Sequence, residues 1–255
     1  MSAGQVLRTW RKEKGYSQLR LGTEAEVSTR HLSCVETGRA QPSRQLLLIL
    51  ASALELPLRE RNVLLRTAGF TPAYSDAGLE HASMKKVREA IAFILAQHEP
   101  FPVVVFDRHW RITHLNNGAL RVFGSLVGPL PPGADALELL FSRGGLGPFL
   151  LNFDQVASAV LGRVREESRH DPALARRLAE VVAGLPDGWQ EPPLGDVPDV
   201  LVPVRLRYGE GKEFSLFSTL TTLGTPSDAT AQELRIETYF PADASSRQLL
   251  EDLAK

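Results

Sequence analysis

The sequence predicts two domains of different class. An all-α head of five short helices spans residues 1–70, a linker follows at 71–83, and an α+β body spans residues 84–255. Three observations predict this division. Apolar residues recur at helical spacing through the first part of the chain, punctuated by serines that can cap and glycines that can stop a helix. Further on, β-branched and alternating runs read as two strands, then helices, then three strands, which gives a five-stranded antiparallel sheet with helices on one face. Charge divides at the same place, with 11 Lys and Arg against 6 Asp and Glu over residues 1–70, and 18 against 24 over the rest.

In the head, the first helix runs from Ser2 to Lys14 with Val6, Leu7 and Trp10 inward, and Gly15 stops it. Ser17 caps a second helix carrying Leu21 and Ala25. Ser28 caps a third carrying Leu32 and Val35, which Gly38 ends. Ser43 caps a fourth containing Leu46, Leu47, Ile49, Leu50, Ala53 and Leu54. The fifth follows Pro57, from Leu58 to Ala68, and stops at Gly69. The second and third helices are short and joined tightly around Glu26-Val27, with Gly22 where they must approach. This is a helix-turn-helix arrangement, and it frees the third helix to lie in the major groove of double-stranded DNA. Its first turn offers Ser28, Thr29, Arg30 and His31, followed by Ser33. Arg30 suits a bidentate contact to guanine, and Thr29 suits a base edge or a thymine methyl. Gln18, Arg39, Arg44 and Arg11 are the phosphate candidates. A basic head on an acidic body fits a DNA-binding domain attached to a sensor.

The string Leu7-Arg8, Arg11, Gly15-Tyr16-Ser17-Gln18, Val27-Ser28, Glu36-Thr37-Gly38-Arg39 and Pro42-Ser43 resembles the XRE-type (Cro/C1-type) helix-turn-helix over residues 4–56. One position departs from it: Glu26 stands where that family usually has Gly, a strained choice if φ is positive there. A longer signature resembles the MmyB-like branch of these regulators. It runs from Val27-Ser28-Thr29-Arg30-His31-Leu32-Ser33 through Leu58-Arg59-Glu60-Arg61-Asn62 and Ala68-Gly69-Phe70-Thr71-Pro72 to His98-Glu99-Pro100-Phe101-Pro102-Val103, Phe106-Asp107-Arg108, Trp110 and Asn116. The resemblance implies a transcription regulator in which a PAS-like ligand-binding domain follows the DNA-binding head, and it implies a fatty-acid-like ligand.

The body agrees with that expectation. Residues 84–97 form an amphipathic helix with Val87, Ile91, Ile94 and Leu95 on its apolar face. Val103–Phe106 and Trp110–Leu115 are the first two strands. Asn116-Asn117 caps a helix with Leu120 and Phe123 inward. Helices follow at Ala134–Phe141, Phe153–Ser168 and from Pro172 to Gly184, the last capped by Asp171. After a Pro/Gly/Asp loop at 185–199, strands are expected at Leu201–Tyr208, Glu213–Thr222 and Leu234–Phe240, then a short helix with Leu249, Leu250 and Leu253. Sheet and helices should enclose a cavity, for which Val104, Phe106, Leu115, Leu120, Phe123, Phe141, Phe149, Val156, Val160, Leu216 and Phe240 are the apolar lining candidates. His114, Asn117 and Arg121 are placed to meet an acidic head group.

The expected partners are double-stranded DNA, bound by a homodimer on two half-sites, a small apolar ligand, and RNA polymerase. The competing reading makes the body a dimerisation or docking module with a filled interior. Enzyme chemistry finds no support. Gly144-Gly145-x-Gly147 lacks the Lys-Ser/Thr of a phosphate loop, and Gly124-Ser125-x-x-Gly128 does not centre its serine as a nucleophile elbow must. No residues have metal-ligand spacing, and His98, His109 and His114 read as structural rather than haem-binding. The only cysteine, Cys34, lies in the head and reads as a packed small residue; its position excludes a flavin–cysteine adduct in the body. No cofactor is expected beyond a bound fatty acid or similar metabolite. With no secretory leader, no ~20-residue apolar run and one cysteine, a cytoplasmic setting without membrane contact is expected.

Overall fold

A computed structural model describes residues 1–169, 171–185, 189, 202–209, 211–224 and 227–255. The expected loop at 185–199 and the strand start at Leu201 fall largely or wholly outside the described residues. The chain divides into two compact units: Met1–Lys85 with Gly224–Gln232, and Lys86–Leu223 with Glu233–Lys255.

The first unit contains α1 Ala3–Glu13, α2 Gln18–Glu24, α3 Thr29–Glu36, α4 Arg44–Ala53 and α5 Leu58–Thr67. Small polar caps set the helix starts. Ser2 forms a capping box with Gln5, and the hydroxyls of Ser17, Ser28 and Ser43 accept the amides of Arg20, His31 and Leu46. Leu7, Leu21, Leu32, Leu47, Leu50 and Leu64 are fully buried in one core. Close approach explains two glycines. A Cβ on Gly4 would stand 2.0 Å from the Val35 carbonyl oxygen, and one on Gly22 would stand 2.6 Å from that of Val27. Gly22 thus lets the α2–α3 turn close, and at that turn Glu26 adopts φ 55°.

The head extends beyond residue 70. Asn62, wholly buried on α5, accepts the amides of Ala73 and Tyr74 and donates to the Tyr74 carbonyl at 2.8 Å. These bonds hold the start of the segment read as a linker at 71–83. The first unit also takes in the connection that follows residue 223. A short helix there, α11 (Ala229–Glu233), was not anticipated because its five residues are too few to show periodicity. Pro57 gives α5 no side-chain cap, and the Leu58 amide donates instead to Gln232 Oε1 at 3.0 Å. Thr230 Oγ1 accepts from Arg59, Ser75 and Asp228 form a parallel bridge, and Ala229 and Ala231 are fully buried.

The second unit contains α6 Lys85–Gln97, of which Lys85 lies in the first, then β1 Val103–Phe106, β2 Ile112–Leu115, α7 Asn117–Val127, α8 Ala136–Phe141, α9 Phe153–Ser168, α10 Pro172–Ala183, β3 Val204–Tyr208, β4 Lys212–Thr222, β5 Arg235–Pro241 and α12 Ala244–Asp252. The strands form one antiparallel sheet in the order β2-β1-β5-β4-β3, which is the PAS arrangement. β2 starts two residues later than the alternation suggested. Trp110 sits instead in the hairpin turn at φ 62°, where the Asp107 carboxylate accepts the amides of His109 and Arg111. Asn116 is a structural cap. Its Oδ1 accepts the amides of Val103 and Ala119, and its Nδ2 donates to the Phe101 carbonyl, tying β1 to the start of α7.

A left-handed conformation costs a non-glycine residue roughly 1–2 kcal/mol, partly offset when glycine replaces it by the larger entropy glycine loses on folding. Glu26→Gly is therefore expected to stabilise the protein by about 0.5–1 kcal/mol, read as a higher urea midpoint. A lower midpoint would show that the Glu26 side chain contributes more than its backbone costs.

Candidate functional site

Two surfaces carry the chemistry, one in each unit. In the head, Ser28, Thr29, Arg30 and His31 are all exposed on the first turn of α3, Ser33 is half-buried one turn on, and Arg39 and Arg44 are exposed nearby. Ser28 Oγ is occupied in capping, accepting the His31 amide at 3.2 Å.

Two expected phosphate ligands are placed otherwise. Arg11 is buried; its Nε and Nη2 donate to the two oxygens of Glu36 at 2.6 and 2.9 Å, and its Nη1 donates to the Tyr16 carbonyl. Gln18 is half-buried and its Nε2 donates to Glu36 at 2.8 Å. The spacing that suggested a basic surface thus builds an internal bridge from α1 and α2 to the end of α3. Burial alone would raise the Glu36 pKa, but hydrogen bonds from Arg11 and Gln18, with the Arg11 charge, hold it below the ordinary carboxylate value.

In the second unit, a cavity of about 100 Å³ lies between the sheet and α7–α9. Of the expected lining residues, Val104, Phe106, Leu115, Phe123, Val156 and Val160 face it, joined by Trp110, Ile112, Leu139, Leu150 and Leu206. The others lie elsewhere. Leu120 is 43% exposed on α7. Phe141 packs edge-on against Phe153, 6.2 Å between centroids, and Phe149 is packed against the core away from the cavity wall. Leu216 is fully buried in the core but outside that wall. Phe240 stacks on Phe217 at 5.2 Å and meets His98 at 4.9 Å. Strand alternation explains the last placement: Tyr239 faces the cavity, so its neighbour Phe240 points to the opposite face. The same alternation turns His114 away while Leu115 points in. Asn117 and Arg121 are not among the residues lining the cavity; Glu99 accepts the Asn117 backbone amide at 2.7 Å and lies 3.5 Å from the Arg121 guanidinium.

Three polar residues unanticipated in the sequence also line the cavity: Arg163 on α9, and Glu237 and Tyr239 on β5. Arg163 Nη2 lies 3.6 Å from Glu237 Oε2, and its guanidinium sits 4.4 Å from the centre of the Trp110 ring. Glu237 Oε1 accepts from Ser218 at 2.8 Å. Tyr239 is half-buried as a residue, but its hydroxyl end is enclosed; burial and the neighbouring Glu237 push its pKa well above the usual phenol value, keeping it protonated. Arg163 was legible in principle, since it continues the Val156, Val160 face by one further helical step. A roomier cleft of about 490 Å³ beside His109, Asp135 and Arg177 is open, and its Arg177 is engaged by Asp135, Glu138 and Glu180.

A family described as the MmyB-like transcription regulator ligand binding domain matches residues 87–253, and a helix-turn-helix domain family matches residues 2–64. The chain belongs to the MmyB-like transcription regulators. It is a helix-turn-helix DNA-binding regulator with a PAS-like ligand-binding domain. No curated protein matches it. Among solved structures, this regulator is similar to the PAS domain of an HTR-like protein from Haloarcula marismortui, with 13% identity over 62% of this chain and 97% of that one and a TM-score of 0.28. The PAS domain from Bordetella pertussis BvgS shares 17% identity over 65% and 97% of the chains, with a TM-score of 0.29. A Rhodobacter sphaeroides LOV protein shares 14% over 63% and 71%, with a TM-score of 0.29. These likenesses are faint, and the fold rests on the strand order itself. No helix among the described residues is long and apolar enough to cross a membrane.

Removing one partner of a buried ion pair typically costs about 3–5 kcal/mol. Arg11→Met is expected to destabilise the regulator by that order, measured by denaturant unfolding at pH 7, because it strands the Glu36 charge. The Glu36 pKa is lower folded than unfolded, so its contribution is complete above the unfolded value, about 4.3, and is lost as pH falls through the folded one. The stability gap between the native regulator and Glu36→Gln should accordingly narrow below about pH 4. A pH-independent gap would assign the effect to packing.

Proposed function

We propose that this regulator binds its operator as a homodimer through α3 and responds to an acyl compound, a fatty acid or a similar metabolite, held in the cavity of the PAS-like domain. Arg30 and Thr29 read base edges, His31 and Ser33 flank them, and Arg39 and Arg44 hold phosphates. RNA polymerase is a further proposed partner. The regulator acts in the cytoplasm by binding, without turnover.

The observation that carries the reading is the course of β5. This strand brings Glu237 and Tyr239 to the cavity, and the residues just before it, through Gln232, are built into the head at the start of α5. A ligand that moves β5 therefore acts on a strand continuous with a structural part of the DNA-binding unit. It shifts operator affinity only if it binds the two conformations differently.

One observation favours the competing reading. At about 100 Å³ the cavity is well below the roughly 300–1,000 Å³ of ordinary ligand sites, so a long chain needs the surrounding helices to move outward, and an interior simply filled would leave a docking module. Native mass spectrometry of the purified protein separates the two. The proposal expects an acyl species at near-stoichiometric level, released on denaturation, or taken up on incubation with fatty acids. A mass that stays that of the bare chain throughout would favour the docking module.

On the DNA side, Arg30→Ala should cost about 1–3 kcal/mol and relax base preference at one position. Arg44→Ala should weaken all sequences alike and lower the salt slope by about one. If Arg30→Ala leaves both affinity and preference unchanged, α3 is not the reading helix.

A further inference from the structure

The helix α11 has five residues, too few to hold a helix unaided, and side chains finish both its ends. At its start Asp228 Oδ1 accepts the Ala231 amide at 2.9 Å. At its end Arg235 Nη1 donates to the Glu233 carbonyl at 3.2 Å, the usual use of a cation at a helix C-terminus. The same guanidinium is shared with α9: Arg235 Nε lies 3.0 Å from Glu167 Oε1, and both side chains are largely buried. The other oxygen of Glu167 accepts the indole N–H of Trp110 at 2.8 Å, and Trp110 lines the cavity. One carboxylate on α9 therefore holds both a residue of the cavity wall and the cap of α11.

The pairing of α9 with β5 also has a register. Arg163 and Glu167 are one turn apart on α9, and Arg235 and Glu237 share one face of β5. Four helical residues advance about 6 Å and two strand residues about 7 Å, so the two elements keep step. The pairs run in opposite sense, Arg163 to Glu237 at 3.6 Å and Glu167 to Arg235 at 3.0 Å. Sliding α9 by one turn along β5 would set like charges against each other. An outward shift of α9 consequently breaks the Glu167–Arg235 pair and gives Glu167 no second arginine on β5.

We propose that Arg235 is the residue through which the cavity controls the DNA-binding unit, because Glu167 orients its guanidinium on the last turn of α11. When α9 moves outward, Glu167 leaves Arg235, the guanidinium is no longer held on the Glu233 carbonyl, and α11 loses its cap. Gln232 lies on that turn, and it is the residue that satisfies the Leu58 amide at the start of α5. The ligand half of this inference rests on the reading of the cavity as a ligand site. The dependence of α11 on Glu167 stands without it.

The test is amide hydrogen exchange of the full-length protein at pH 7.5, read by NMR at Leu58 and at Ala229, whose amide donates to the Ser75 carbonyl. Glu167→Gln keeps an acceptor for Trp110 and removes the charge facing Arg235. It is expected to speed exchange at both amides about tenfold while the buried α4 amides of Leu50 and Ala51 keep their native rates. A merely structural loss would speed all four. Arg235→Lys keeps the charge without the fork and is expected to speed the same two amides less; it decides the question should Glu167→Gln fail to fold. Sodium dodecanoate, followed by calorimetry on the same samples, is the ligand probe. It is expected to speed exchange at Leu58 and Ala229 in the native protein, and to bind Glu167→Gln with little further change there. Native rates at both amides in the folded variants would overturn the proposal whether or not dodecanoate binds. Dodecanoate binding that leaves those amides unchanged in the native protein would overturn the ligand half and spare the cavity as a ligand site. No uptake of dodecanoate would count against the cavity reading, with the variants still deciding the role of Arg235.

Discussion

The N-terminal end of α5 is finished by a residue from far along the chain. Pro57 supplies no cap, and the amide of Leu58 is satisfied by the carboxamide of Gln232, with Thr230 beside Arg59 and the backbone of residues 227–229 against Ser75. The polypeptide consequently runs between the two units three times, within α6 and again before and after Gly224–Gln232. Each crossing is covalent, and the last leads into β5. A head capped by its own sequence would fold to the same helices and owe nothing to the sheet. Here the helix that closes the head is completed by a segment that lies in the sequence between β4 and β5.

The head was largely legible in the sequence because its determinants are local. Serine caps, glycine stops and 3.6-residue spacing act within one or two turns, and the helices start where those signals put them. The Glu26 departure was visible for the same reason, since the turn demands a positive φ whatever else the chain does. What local reasoning missed was long-range. Arg11 and Gln18 look like surface groups on their own helices, and only tertiary packing shows that both serve Glu36, 25 and 18 residues away. An arginine in a helix of a basic domain reads as a DNA contact until its carboxylate partner is placed in three dimensions.

In the body, element types were legible and facing directions were less so. Period-two patterns located the strands, but which of two adjacent residues turns inward depends on register, and a choice based on residue type preferred Phe240 to Tyr239 and overlooked Glu237 two positions before. Hydrophobicity also misled on α7. The close seat of Gly118 under the Pro100 and Phe101 carbonyls and the burial of Ala119, Val122 and Phe123 fix the inward face, leaving Leu120 outward. The polar members of the cavity wall were the least legible. Arg163 and Glu237 are unremarkable charges in sequence, and their meaning comes from being brought together from α9 and β5 around Trp110.

The small cavity and the shared segment constrain one another. Allosteric coupling of ordinary strength, about 1–3 kcal/mol, requires a ligand to distinguish two conformations by roughly five- to 150-fold. A cavity already large enough for its ligand would fill with little rearrangement and offer little discrimination. For the proposed acyl ligand, a cavity of about 100 Å³ would have to widen, which would make binding conditional on a change in its walls, and those walls include β5 as well as α7–α9. If widening is taken up by the helices alone, binding costs their repacking and the head is unaffected. If β5 shares it, the displacement enters the residues that complete α5.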